Sequence, residues 1–130
     1  HLQIWRWHAT MLTSILHRAT GVALYGGALL FALWLASIAL GPQAYALSSA
    51  LIGTVIGQII LWGIVFSVSF HILSGLRHLV WDMGAGFNPK LSSLFSNLII
   101  VGAVLLTVGI WYWSASTPPP APRFQGMQIQ

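Results

Sequence analysis

The chain of 130 residues has no cysteine and very little charge. Without cysteine there is no disulfide framework, thiolate metal site, cysteine nucleophile or cysteine-held iron–sulfur cluster. Charged residues make up 5% of the sequence: five Lys/Arg and one acid, Asp82. A soluble domain carries about a quarter. So uncharged a surface would not stay dispersed in water. A soluble enzyme and a disordered tail are excluded on that ground. The five basic residues are scattered, so the sequence pI near 10.4 marks no nucleic-acid patch. The chain is instead 57% hydrophobic, with a mean hydropathy of +0.83. Its length suits one domain. The first apolar run is too long for a signal peptide and is followed by further spans.

Crossing about 30 Å of hydrocarbon takes about 20 apolar residues. Three stretches reach that length, at 22–40, 51–76 and 94–113. A spanning backbone must satisfy its own hydrogen bonds, so each is a helix. No alternating ten-residue segments suggest a barrel. The predicted fold is an all-α membrane protein with three transmembrane helices. The predicted anchor domain covers 1–116: a surface segment at 2–19, then spans at about 20–40, 51–82 and 93–113, with a proline-rich tail at 117–130. Gly41-Pro42 stops the first span, because proline lacks an N–H and clashes with the preceding turn. Gly86, Asn88 and Pro89 break the second.

Arg6, Arg18, Arg77 and Lys90 fall at one side of the predicted membrane, and the loop between spans one and two has no Lys or Arg. The positive-inside rule puts the N-terminus in the cytoplasm or matrix and the C-terminal tail, with Arg123, on the opposite side. Trp5, Trp7, Trp81 and Trp111-Tyr112-Trp113 sit where interfacial aromatic anchors are expected.

Polar residues inside apolar helices are expensive and mark candidate sites. Ser14, His17, Arg18 and Gly21 follow the spacing i, i+3, i+4, i+7, one helical face. Either Arg18 snorkels to the interface with incidental neighbours, or the group is functional. His71, Ser74, Gly75, His78 and Asp82 form a second such face. His71 lies roughly 16 Å deeper than Asp82 at the helical rise. A neutral imidazole there is a good iron ligand, and Gly75 would leave room for a flat macrocycle; a structural histidine bonded to a neighbouring helix is the other reading. The same rise places His17 level with the inner end of span two, too far from His71 to share an iron with it. His78 is on His71's own helix. A bis-histidine site would then need a ligand from another subunit. Arg77 faces away from the histidine stripe and is expected to contact lipid or a partner at the inner surface.

At His17-Arg18-Ala19-Thr20-Gly21, with Ser14 before it, and His71-Ile-Leu-Ser-Gly75-Leu-Arg77-His78-Leu-Val-Trp-Asp82, the sequence resembles the cytochrome b-556 anchor subunit of succinate dehydrogenase, respiratory complex II. The second motif is the specific one. The likeness spans Leu2 to Trp113. The family's upstream Ser-Pro-His-Leu survives only as His1-Leu2, implying a trimmed N-terminus; His8 replaces a common proline, and the proline-rich tail is not a family feature.

The resemblance implies half of a heterodimeric haem-binding helical bundle. A second small membrane-anchor subunit supplies the other axial ligand, and the iron–sulfur and flavoprotein subunits sit on the inner face. His71 would be this chain's ligand to haem b. His17, Arg18 and His78 would lie near the propionates, and Ser14 and Arg18 would line the ubiquinone site. Asp82 would be a helix-end or proton-path residue. The chain would act as a subunit that does not itself oxidise succinate, in a bacterial plasma membrane or mitochondrial inner membrane. Two alternatives remain at this point: a haem-free quinone-binding anchor, and a small proton- or solute-conducting protein using His71, His78 and Asp82.

Overall fold

The computed structural model describes residues 9–84 and 89–119. Trp5, Arg6, Trp7, His8, the predicted break at 85–88, Arg123 and the tail from 120 onward lie outside the described residues. The described residues form four helices and no strand: α1 (Ala9–Leu40), α2 (Pro42–Ile52), α3 (Val55–Asp82) and α4 (Pro89–Ser116). Three are long and apolar enough to cross a membrane, over Met11–Leu40, Val55–Asp82 and Lys90–Ser116, with mean hydropathies of 2.0, 2.0 and 2.2.

Two elements differ from the sequence reading. A surface segment at 2–19 with a span starting near 20 does not match: from Ala9 onward the backbone is already α1, continuous to Leu40. Nothing between 9 and 19 breaks a helix, since the stretch has no Gly or Pro and its polar groups can share one face. The connection after Gly41 is also not an irregular loop. It is α2, with Pro42 in its first turn, where a missing N–H costs nothing. Gly41 sits at φ 115°, a backbone conformation that favours glycine.

The second turn of the chain is equally tight. Thr54 caps α3 by accepting from the Gly57 N–H at 3.0 Å. A Cβ on Gly57 would collide with the Leu51 and Ile52 carbonyls, so only glycine lets α2 and α3 approach this closely. Gln58 donates to the Ile52 carbonyl at 2.8 Å and accepts from Trp62 Nε1 at 3.2 Å. Ser37 and Ser48 join α1 to α2 at 2.9 Å.

α3 is the central helix, packed on α4 along one side and on α1 along another. Among the described residues the buried apolar core is small: Phe70, Ile99 and Ala103, flanked by Leu16, Phe66, Leu73 and Ile100. More buried positions are polar: Thr13, Thr20, Ser37, Ser67, Ser69, Ser74, Arg77 and Ser96. Large apolar side chains such as Leu29, Phe31, Ile59 and Leu105 point outward. This is the packing expected in lipid. Acyl chains are as apolar as leucine, so small residues and interhelical hydrogen bonds hold the helices together. The hydroxyls are satisfied locally: Ser67, Ser69, Ser96 and Thr107 each donate to the carbonyl four residues back, at 2.8–2.9 Å.

Candidate functional site

The N-terminal turns of α1, the C-terminal turns of α3 and the N-terminal turns of α4 meet at one end of the bundle, the end that carries Arg18, Arg77, Asp82 and Lys90. Both polar faces read from the sequence converge there. His17 stacks on His71 with ring centroids 4.2 Å apart and planes 13° from parallel. His78 meets His17 edge-on at 5.2 Å. His17 Nδ1 lies 2.6 Å from Ser74 Oγ. The Ser74 hydroxyl also lies 3.2 Å from the His71 carbonyl, to which it can donate.

The expectation that His17 is out of reach of His71 is therefore corrected. It rested on a helix starting near residue 20. With α1 already helical at Ala9, His17 is at least about two turns inside the helix and faces Ser74 rather than the last turn of α3. Contact alone does not make the two a ligand pair. Imidazole lone pairs lie in the ring plane, so two parallel stacked rings present faces, not donor atoms, to each other. They cannot grip one iron between them. Among the described residues no group of three or more His, Asp or Glu is arranged to hold a metal ion.

His71 nevertheless has a ligand atom to spare. Its Nδ1 is buried and has no hydrogen-bond partner among the described residues. Leaving a buried polar atom unpaired is costly, so such an atom calls for an explanation. The space around His71 is uneven. A Cβ on Gly21 would lie 3.6 Å from His71 Cε1, so α1 closes one flank. A Cβ on Gly75, one turn toward the inner end, would meet nothing within 4 Å. That flank is open.

The remaining candidates are spread over the surface of this end. Ser14 and Arg18 are exposed on α1, His78 is exposed on α3, and Asp82 is exposed at the last turn of α3. The exposed faces of Ser14 and Arg18 are thus turned to the surroundings of the bundle, while His17 between them turns inward to Ser74.

Arg77 overturns its expectation. It is 8% exposed, not a surface contact. Its Nη1 donates to Thr13 Oγ1 at 3.2 Å and to Ser96 Oγ, and its guanidinium lies 4.4 Å from the centre of the Trp81 ring. Thr13 and Ser96 are themselves 3.3 Å apart. One cation thus ties α1, α3 and α4 together. Trp81, expected as a membrane anchor, is half-buried against Arg77 and His78. Trp111, Tyr112 and Trp113 are exposed at the far end of α4, as anchors would be. This three-helix tie was missed because Thr13 and Ser96 read as ordinary hydroxyls. The available signal was the spacing of Thr13, Leu16, Thr20 and Gly27, an inward stripe beside the one chosen.

Comparison with known proteins decides the family. A family model described as "Succinate dehydrogenase/Fumarate reductase transmembrane subunit" matches residues 1–110. The chain belongs to this family. It is 37% identical over 108 residues to the succinate dehydrogenase cytochrome b556 subunit of Paracoccus denitrificans, covering 83% of each chain. It is 34% identical over 111 residues to the cytochrome b556 subunit of Rickettsia conorii, covering 85% of this chain and 86% of the relative. It is also 34% identical over 115 residues to the mitochondrial cytochrome b560 subunit of Sus scrofa, covering 85% of this chain and 66% of that longer one. The all-helical architecture with three apolar spans is that of a transmembrane subunit.

Proposed function

We propose that this chain is a haem-bearing anchor of succinate:quinone oxidoreductase. In this reading it shares haem b with a second small anchor subunit and helps form the ubiquinone-reduction site fed by the iron–sulfur subunit. The observation that carries the reading is the buried Nδ1 of His71, which has no hydrogen-bond partner among the described residues. An imidazole with an unpaired nitrogen has the chemistry of a haem-iron ligand. A second ligand would come from the partner anchor, since His17 turns its ring face to His71.

When bound, the haem supplies a one-electron store next to the quinone site. The chain's own residues position and balance charge. His71 would be this chain's ligand to the haem iron. His17, Arg18 and His78 would lie near the haem's carboxylates, which the Arg18 cation would offset. His17 is held in place by Ser74 and by its stack on His71. Ser14, exposed one turn before Arg18, donates a hydrogen bond to a quinone carbonyl. Arg18 stabilises negative charge that develops on the quinone oxygen, an electrostatic role in a partly dry site. Asp82, exposed at the inner end, would deliver protons from the aqueous side. The inner end faces the cytoplasm or matrix, in keeping with Arg18, Arg77 and Lys90 gathered there.

The test is to purify the complex in mild detergent. The expected result is co-purification with a flavoprotein, an iron–sulfur protein and a second anchor, and a b-type absorption band on dithionite reduction. The subunits without the band would support the haem-free anchor. The chain isolated without partners would support the conduit.

A further inference from the structure

The α1–α3 contact has successive rungs whose numbers rise on α1 as they fall on α3. Thr13 meets Arg77 at 3.2 Å, and His17 meets Ser74 at 2.6 Å. A Cβ on Gly21 would lie 3.6 Å from His71 Cε1, and one on Gly27 would lie 3.2 Å from Ile64 Cγ2. The Gly27–Ile64 rung is an apolar side chain against glycine. Such a contact marks its register by shape alone, because lipid and leucine are equally apolar and no solvent penalty is added. The two polar rungs at the inner end mark it by hydrogen bonds as well.

Of these, only the Arg77 rung reaches a third helix. Its guanidinium is buried, and its partners Thr13 and Ser96 are 1% and 0% exposed. The Trp81 ring covers it at 4.4 Å. A slip of α1 by one turn would carry Thr13 away and leave a desolvated cation with a lost donor contact, which a low-dielectric interior punishes. A snorkelling arginine at the surface would feel no such cost.

We propose that Arg77 is a positioning residue: it sets the α1–α3 register that stacks His17 on His71 and presents Ser14 and Arg18 at the inner end. This rests on the reading of those residues as the haem and quinone site. Arg77 touches neither group; it acts through Thr13 and Ser96.

The whole complex is the sample, with nitroxide labels on Ala36→Cys and Ile72→Cys, both exposed positions. A one-turn slip moves one label past the other by about 5 Å. With Arg77 present a narrow distance distribution is expected. Arg77→Met is expected to shift or broaden it by about that amount. In the same preparation the quinone KM should rise about tenfold, while succinate oxidation by a soluble artificial acceptor is unchanged. If Arg77→Met does not assemble, Thr13→Val combined with Ser96→Ala removes both hydroxyls and should produce the same two changes. Thr13→Ser, which keeps the hydroxyl, should show neither. An unchanged distance distribution in the variant that assembles overturns the proposal, and so does a shifted distribution with an unchanged quinone KM. Ser14→Ala is the control on the parent reading. If it leaves quinone reduction intact, the quinone assignment fails by itself, and the label distances still decide the register.

Discussion

His17 and Ser74 are joined by a 2.6 Å contact between Nδ1 and Oγ, across two helices and 57 residues of sequence. The Ser74 hydroxyl has one proton. If that proton goes to the His71 carbonyl at 3.2 Å, the oxygen accepts from His17 Nδ1–H. The backbone of α3 then fixes the serine hydroxyl, and the serine orients the His17 ring that stacks on His71.

Ser74→Ala should loosen this pair. A part-buried imidazole nitrogen loses its partner, which costs about 1–3 kcal/mol. The expected outcome is a lower thermal midpoint of the detergent-solubilised complex and a perturbed b-type spectrum. Ser74→Thr keeps the hydroxyl and should retain more of both.

His71→Leu should abolish or badly distort the b-type absorption of the assembled complex. The side chain keeps its bulk but loses every ligand atom. A spectrum identical to that of the unaltered complex would sink the ligand assignment.

Gly21 offers a graded check on the same site. The 3.6 Å separation between a Cβ there and His71 Cε1 is ordinary contact, so Gly21→Ala should be tolerated. Gly21→Leu drives a branched side chain into the imidazole, and overpacking of that kind costs about 1–3 kcal/mol. The reduced absorption band should move for leucine and stay for alanine.

Ser14→Ala should lower quinone reduction roughly tenfold, the effect of losing about 1.4 kcal/mol from one hydrogen bond. Succinate oxidation by a soluble artificial acceptor should be unaffected. Equal loss of both activities would mean that assembly, not quinone binding, depends on Ser14.

Gly57→Ala probes the opposite end. Its Cβ would collide with the Leu51 and Ile52 carbonyls, so α2 must move. Thermal stability should fall by several degrees, and the haem spectrum should hold, because α2 packs far from the histidines. Spectral change would show that the two ends are coupled.

Much of the architecture was legible from the order of residues alone. Hydrophobic run length is a blunt signal, so three spans and their polar faces emerged directly. His17 and His71 stood out because imidazoles are costly in lipid. Their contact was not legible, since it depends on how far α1 extends toward the N-terminus and on how it packs on α3, neither of which run length reveals. Arg77 was misplaced for a related reason. Its own helix faces are readable from the spacing, but burial depends on which face α4 covers, and that is set by tertiary packing. The Gly-Pro pair at 41–42 read as a stop and was one, yet it also opened α2, because proline ends one helix and starts another equally well.

The inverted interior has a corollary for sequence divergence. Leu, Ile, Val and Phe on the outer faces need only be oily, so they can be exchanged for one another with little consequence in acyl chains. Thr13, Ser74, Ser96 and Gly21 each answer a specific neighbour by shape or by a proton. Substitution at these small side chains is therefore expected to cost more than exchange among the oily outer ones.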